Sequence, residues 1–294
     1  MSTTTVSATA AISLPPTSTF LQRFCRNRTA MISAIVLAVI VLIAIFAPLI
    51  APHDPAKSSL RAILKPPSAT YWLGSDDLGR DVASRLIFAS RLSLLACLQA
   101  VVIALVIGMP LGLIAGYVGG WIDTVISRCN DALMSFPALI LAVVIVGLLG
   151  PSLTNAMTAI GLVYAPRIMR VVRGSTLSVR EEVYVRAARA TGCSDARIII
   201  HHVLPNVTGP LVVQATVLMG QALLSEAGLS FLGLGTQPPQ ASWGAMLGTA
   251  FPYMAQSPVP TIAAGAIISI TVLCFNLIGD GIRDSVGRMR RAGD

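Results

Sequence analysis

Long apolar runs constrain the fold of this chain more than any other feature. Stretches of about 20 mainly apolar residues recur along the sequence, and each is long enough to cross the hydrocarbon core of a membrane as a helix. Within lipid the backbone amides and carbonyls must be paired inside the segment, so such runs form α-helices. The sequence therefore predicts an all-α integral membrane protein in which residues 30–294 form one membrane domain. The predicted spans cover about 30–50, 93–117, 132–150, 152–169, 208–232 and 260–278.

The distribution of arginine indicates how the chain is oriented. Arg23, Arg26 and Arg28 precede the first run, and further arginines lie between the fourth and fifth runs and after the last. Basic residues favour the cytoplasmic side of a membrane, so both termini are expected in the cytoplasm. The net charge of +8 is then an orientation signal and does not indicate nucleic-acid binding. Residues 1–29 are predicted to be a cytoplasmic tail, disordered because residues 1–19 are rich in Ser, Thr, Ala and Pro.

A polar segment, residues 181–205, interrupts the apolar series between the fourth and fifth spans. Residues 181–191 have the spacing of a short amphipathic helix. Gly192 follows at the position where a left-handed glycine ends a helix. The segment is flanked by spans on both sides, which would hold it against a membrane and so argue against a DNA-binding helix–turn–helix.

The second half of this segment predicts another short helix. Ser194 suits its N-cap, and Asp195 would lie in its first turn. Pro205 would end that helix or fix the direction in which the chain leaves it. Two short helices with small residues on one face suit a groove on another protein, and a solvated connector is the alternative.

The small residues of this segment resemble the cytoplasmic coupling motif of bacterial ABC importer permeases. The family usually has Glu-Ala-Ala at the start of the motif, whereas Arg186 stands here, and His202 replaces an aliphatic residue. The resemblance implies that residues 181–205, hereafter the coupling segment, grip an ATPase, with Arg186 or Arg189 pairing with its acidic side chains. The residues that match the motif are Ala187, Ala188, Gly192, Leu204 and Pro205.

Three further blocks resemble the peptide and nickel branch of these permeases. They are LGSDDLGRDVASRL at 73–86, LSEAGLSFLGLGTQPPQASWG at 224–244 and NLIGDGIRDSVGRMRR at 276–291. Together with the coupling segment they are most similar to the C-type membrane subunit of dipeptide or oligopeptide importers. The first block lies in residues 51–91, which are extracytoplasmic by alternation of the spans. Its singled-out residues are Asp76, Gly79, Arg80, Asp81 and Arg85.

The resemblance implies a type I importer fold and a defined set of partners in the bacterial inner membrane. A second, homologous permease subunit would complete a heterodimer around the translocation pathway. Two cytoplasmic ATPase subunits would bind ATP and Mg²⁺, and an extracytoplasmic binding protein would deliver the solute. Di- or oligopeptides are the expected solute, with nickel chelates or glutathione-like molecules as alternatives.

Polar residues inside the fifth span are candidates for the translocation pathway. Glu226 lies within this apolar run, with Gln214 and Gln221 on the same predicted helix. A charged side chain at membrane depth is costly and usually faces a bundle interior or an aqueous path. Glu226 is therefore a wall of the pathway, a polar lock between subunits, or a structural carboxyl near the outer interface.

Small residues recur at every fourth position of the second span. Such stripes allow helix backbones to approach closely in a membrane. Packing within the subunit and packing between subunits both remain open. The stripe consists of Ala100, Ala104, Gly108, Gly112, Gly116 and Gly120.

The sequence also lacks the motifs of an enzyme or an ATPase. A phosphate-binding loop requires G-x-x-x-x-G-K-[ST], and the two lysines, Lys57 and Lys65, occur in no such context. The three histidines and five cysteines have no metal-ligand spacing. We expect no catalysis, no metal and no cofactor of its own. An ATP-independent transporter or channel is a rival, although it would predict internal repeats that are not evident, and a membrane-embedded enzyme is a second rival.

Overall fold

The computed structural model describes residues 20–291, and in this part of the chain the secondary structure is helical without strands. The predicted all-α membrane fold is confirmed. The helices are α1 Phe20–Arg26, α2 Arg28–Ile45, α3 Ala47–Ile50, α4 Val82–Val118, α5 Gly120–Met134, α6 Ala138–Leu149, α7 Leu153–Arg180, α8 Val183–Ala190, α9 Asp195–Ile198, α10 Leu204–Phe231, α11 Trp243–Ala250 and α12 Pro258–Arg291.

The N-terminal tail is only partly as predicted. Residues 1–19 lie outside the described residues, but the predicted disorder of 1–29 is wrong from Phe20 onward, where α1 forms. The reason is packing against α12. A Cβ atom added to Gly281 would lie 3.2 Å from the Phe24 ring, so the absence of a side chain at 281 lets α1 approach closely.

Four helices of the described chain are long and apolar enough to cross a membrane. They correspond to the first, second, fifth and sixth predicted spans, with bounds of Arg28–Ile45, Val82–Val118, Asp195–Phe231 and Pro258–Ser285. The second begins eleven residues before the predicted start, since the Asp81 side chain accepts from the Ser84 amide at 3.0 Å and caps the helix early.

The predicted third span, 132–150, is wrong as a single helix. The chain bends by 90° between α5 and α6. Together these two helices are apolar enough to form either one broken span or a re-entrant loop. Pro137 explains the break, because the residue before a proline is disfavoured in helical conformation. Phe136 therefore leaves the helix at that point.

The predicted fourth span, 152–169, begins at Ser152, the N-cap of α7, and that helix continues beyond the span to Arg180. This helix carries arginines in its second half, and it is not among the described helices that are long and apolar enough to cross a membrane. The count of six spans consequently stays a prediction. The alternation that places residues 51–91 outside the membrane depends on that count.

Helices α4 and α7 pack backbone to backbone, and the glycine stripe is the reason. A Cβ atom on Gly112 would lie 2.7 Å from the Met169 carbonyl oxygen, and one on Gly116 would lie 2.9 Å from that of Arg173. The stripe thus packs within the subunit at these positions. Gly120 is different, since it begins α5 with open space around it.

Residues 76–85 form a compact, ion-paired turn at the end of the bundle opposite the coupling segment. The Arg80 guanidinium lies 2.6 Å from the Asp76 carboxylate, and that of Arg85 lies 3.4 Å from it. Gly79 has a φ of +71°, and a side chain there would collide with the Ser59 carbonyl. These contacts therefore hold the long segment before α4 against the start of that helix.

Candidate functional site

Helix α8 of the coupling segment ends in the arrangement that its glycine predicts. Gly192 has a φ of +83°. The Cys193 amide donates to the Ala188 carbonyl at 3.1 Å, and the Gly192 amide donates to that of Arg189 at 3.0 Å. This pair of bonds is a Schellman motif, which satisfies the free carbonyls of the helix end. The turn sets the angle between α8 and α9.

The second half of the coupling segment differs from the prediction. Ser194 occupies the N-cap position of α9, but its side chain makes no capping bond. Pro205 does not end the helix, because α9 continues through a π-helical stretch, Ile199–Val203, into α10. A proline lacks an amide hydrogen, and the π-helical stretch immediately before Pro205 is a local adjustment of the kind that accommodates a proline inside a continuing helix.

Three buried aliphatic side chains hold the coupling segment to the bundle. Val185 on α8, Ile198 on α9 and Val203 before α10 belong to the continuous hydrophobic core. Each has almost no exposed surface. Burial of an aliphatic side chain contributes about 1.5–3 kcal/mol. The segment is therefore a fixed part of the subunit and differs from a loose connector.

A polar contact adds to this attachment at the end of α4. The Tyr117 hydroxyl donates to the Asp195 carboxylate at 2.8 Å, and the Arg189 guanidinium lies over the Tyr117 ring, 5.2 Å from its centroid. We call Tyr117, Arg189 and Asp195 the clasp. The Tyr117 side chain raises the pKa of the Arg189 guanidinium above its usual value; an arginine is charged at physiological pH in any case. The clasp joins both short helices to α4.

A polar cavity of about 550 Å³ opens beside the clasp. Arg180, the last residue of α7, donates to the Gly116 carbonyl at 3.1 Å and closes one side of it. Glu181 and Arg186 also line this cavity. Within the described residues Arg186 forms no ion pair, so its charge is available to a partner.

The structure separates the predicted coupling residues into two groups. Arg186, Ala187, Arg189, Gly192 and Pro205 are exposed. The other two, Ala188 and Leu204, are half-buried against the hydrophobic core.

Two apolar side chains complete the exposed surface: the helical spacing that predicts α8 already includes Val183, whereas Ile200 was not singled out from the sequence. Val183 is 72% exposed on α8 and Ile200 is 57% exposed after α9. Exposed apolar residues beside charged ones are typical of a protein contact site. Their signal in the sequence is weak, because single apolar residues in a polar segment are common.

Glu226 lies in an enclosed polar contact between α10, α4 and α11. It has no exposed surface. The Ser230 hydroxyl donates to its carboxylate at 2.7 Å, and the Ser93 hydroxyl is 3.5 Å away. Ser93 in turn accepts from the Trp243 amide at 3.0 Å. Of the three interpretations, this placement favours a structural carboxyl over a wall of the pathway.

Gln221 and Gln214 remain candidates for the pathway. Both are half-buried on α10. Gln221 accepts a hydrogen bond from Arg167 of α7 through its side-chain oxygen. No group of three or more His, Cys, Asp or Glu side chains in the described part of the chain is arranged to hold a metal ion.

Comparison with known proteins identifies the class that this fold and coupling segment define. The model of the family described as binding-protein-dependent transport system inner membrane component matches residues 108–291. The model of the N-terminal membrane domain of oligopeptide transport permease C matches residues 16–67. The chain belongs to the first of these families, and it is an integral membrane permease of the ABC transporter class.

Curated relatives are similar over most of their length. The dipeptide transport system permease protein of Alkalihalophilus pseudofirmus is 43% identical over 89% of this chain and 86% of the relative. The probable D,D-dipeptide transport permease of Escherichia coli K12 is 44% identical over 86% and 85%. A glutathione transport system permease of Shigella flexneri is 41% identical over 92% and 90%.

A solved structure has the same fold. Inward-facing MetNI methionine ABC transporter matches with a TM-score of 0.56 and 21% identity, covering 66% of this chain and 93% of that one. The expected importer permease fold is confirmed.

Proposed function

We propose that this chain is one of two membrane subunits of an ATP-driven importer of short peptides. The observation that carries the proposal is the exposed face of the coupling segment, held rigidly by buried Val185, Ile198 and Val203. In this account a cytoplasmic ATPase docks on that face. Its closure moves the segment as a unit and biases the subunit between two conformations.

The proposed complex contains a second, homologous permease subunit, two ATPase subunits that bind ATP and Mg²⁺, and an extracytoplasmic solute-binding protein. This chain supplies no catalytic residue, metal or cofactor. It lies in the bacterial inner membrane with both termini in the cytoplasm.

Di- or oligopeptides are the proposed solutes, because permeases named for dipeptides are similar over most of the chain. Permeases named for glutathione are similar as well. Glutathione-like molecules therefore remain an alternative, as do nickel chelates. Binding of candidate solutes to the soluble binding protein of the same complex separates these possibilities.

Purification of the tagged subunit from its native membrane tests the partner assignment. We expect a stable complex that contains ATPase chains and a second permease. The double substitution Val183→Asp and Ile200→Asp should release the ATPase chains while the two permeases stay together. Retention of the ATPase by that variant, or a complex without ATPase from the wild type, would contradict the docking surface.

A further inference from the structure

A cluster of polar side chains joins α7 and α10 on one side of the subunit. The Arg167 guanidinium donates to the Gln221 side-chain oxygen and lies 5.1 Å from the centroid of the Tyr164 ring. The Tyr164 and Ser225 hydroxyls are 2.7 Å apart. We call Arg167, Tyr164, Gln221 and Ser225 the arginine cluster. Its members hold the guanidinium in a fixed position.

The cluster lies where α7 and α10 face each other in the membrane domain. Gln221 is near the centre of the predicted fifth span, 208–232, whereas Arg167 is two residues from the end of the predicted fourth span, 152–169. Charged side chains within a span are rare and generally face a water-filled path or a partner group.

Arg167 differs from the next two arginines of α7 in having no acidic partner. Arg170 lies 2.9 Å from the Asp131 carboxylate, and Arg173 donates to that of Asp123 at 2.6 Å. Within the described residues Arg167 contacts only neutral groups, and just one of its donors is used. Its charge is therefore uncompensated within this part of the subunit, although its side chain is half-exposed.

We propose that the arginine cluster binds the carboxylate of the solute during translocation, with Arg167 as the anion-binding group; this rests on the proposed function. The planar guanidinium presents paired N–H donors that match the two oxygens of a carboxylate. Gln221 and Tyr164 orient it without neutralising it. Gln214, two helical turns from Gln221, extends the polar row along α10. Short peptides and glutathione-like molecules both carry a carboxylate of this kind.

Thiol labelling tests whether the cluster faces water. Arg167→Cys is made in a chain whose five native cysteines are serine, and the complete importer in nanodiscs is treated with a charged, membrane-impermeant methanethiosulfonate. Leu162→Cys is the matched control, since Leu162 is 40% exposed on another face of the same helix and borders an apolar groove. We expect the cysteine at 167 to react at least roughly tenfold faster, because the charged reagent reaches polar sites and is excluded from lipid. Equal, slow labelling would overturn the proposal.

Charge substitutions test the carboxylate. Removal of a charge-assisted hydrogen bond should lower dipeptide uptake per assembled complex by roughly tenfold in Arg167→Gln. Arg167→Lys should stay within about threefold of the wild type, since it keeps the charge but loses the paired geometry. Arg170→Gln, an exposed arginine of the same helix, is the control and should transport normally.

The outcomes separate this inference from the proposed function. Wild-type uptake in Arg167→Gln overturns the inference alone. Failure of Arg167→Gln to assemble with the second permease would mean that a carboxylate of that subunit is the true partner, which also overturns it. Failure of the wild-type importer to take up any peptide overturns the proposed function together with the inference.

Discussion

The Tyr117 hydroxyl donates a hydrogen bond to the Asp195 carboxylate at 2.8 Å, which joins the end of α4 to the start of α9. The coupling segment is thereby attached to α4, which packs along α7 and reaches the opposite end of the bundle. Movement of this segment would therefore be transmitted to α4 directly.

Tyr117→Phe tests this attachment. The substitution removes the hydrogen bond and keeps the ring beneath Arg189, at a cost of about 0.5–1.5 kcal/mol. We expect normal subunit levels and a several-fold lower ratio of peptide imported to ATP hydrolysed. Asp195→Ala should reduce the ratio similarly, and the double variant should be no worse than either single one. Additive losses would show that the two residues act separately.

Gly192→Val tests the turn between α8 and α9. Gly192 has a positive φ and open space around its Cα, so the penalty is backbone strain, about 1–2 kcal/mol and more for a β-branched residue. We expect assembly near normal and transport poorly coupled to ATP hydrolysis. Gly174→Val on α7 is the control, because it also has open space but no positive φ. Wild-type transport by Gly192→Val would show that the coupling segment is only a connector.

Gly112→Val tests the close packing of α4 on α7. The added Cβ atom would lie 2.7 Å from the Met169 carbonyl oxygen, and a backbone atom cannot move aside cheaply. Overpacking of this kind costs about 1–3 kcal/mol. Subunit abundance in membranes should fall several-fold. The same change at Gly147, where nothing lies within 4 Å, should leave abundance unchanged; equal effects at both sites would contradict close packing as the cause.

Glu226→Gln distinguishes a structural carboxyl from a pathway wall. The carboxylate accepts from Ser230 and lies beside Ser93 and the Gly244 backbone amide, and the amide of glutamine has only one oxygen to accept from these donors. An unsatisfied buried group costs about 1–3 kcal/mol. We expect lower abundance, with transport per assembled complex within about twofold of the wild type. Normal abundance with altered transport would instead place Glu226 on the pathway.

The first half of the coupling segment was predictable because its signals are local. A glycine after an amphipathic run determines a left-handed helix end, and Gly192 has the expected conformation. The stripe at Gly108, Gly112 and Gly116 likewise predicts a close helix contact, although its partner, α7, could not be deduced from spacing alone.

Other features depend on contacts between distant parts of the chain. The clasp joins residues 78 positions apart, and no pattern around Tyr117 indicates its partner. The bend at Pro137 was missed because the residues around it are apolar. Mean hydropathy over such a stretch does not register a single proline that breaks the helix. The role of Glu226 was ambiguous from the sequence because the residues that enclose it come from the distant helices α4 and α11.

ATP-driven uptake by proteoliposomes tests the central claim most directly. Vesicles would contain this subunit, the second permease, the ATPase chains and the binding protein, and labelled dipeptide would be measured inside with and without ATP. The account predicts accumulation that requires ATP and every component. Peptide entry through this subunit alone, or the absence of ATP-dependent accumulation by the complete complex, would contradict it.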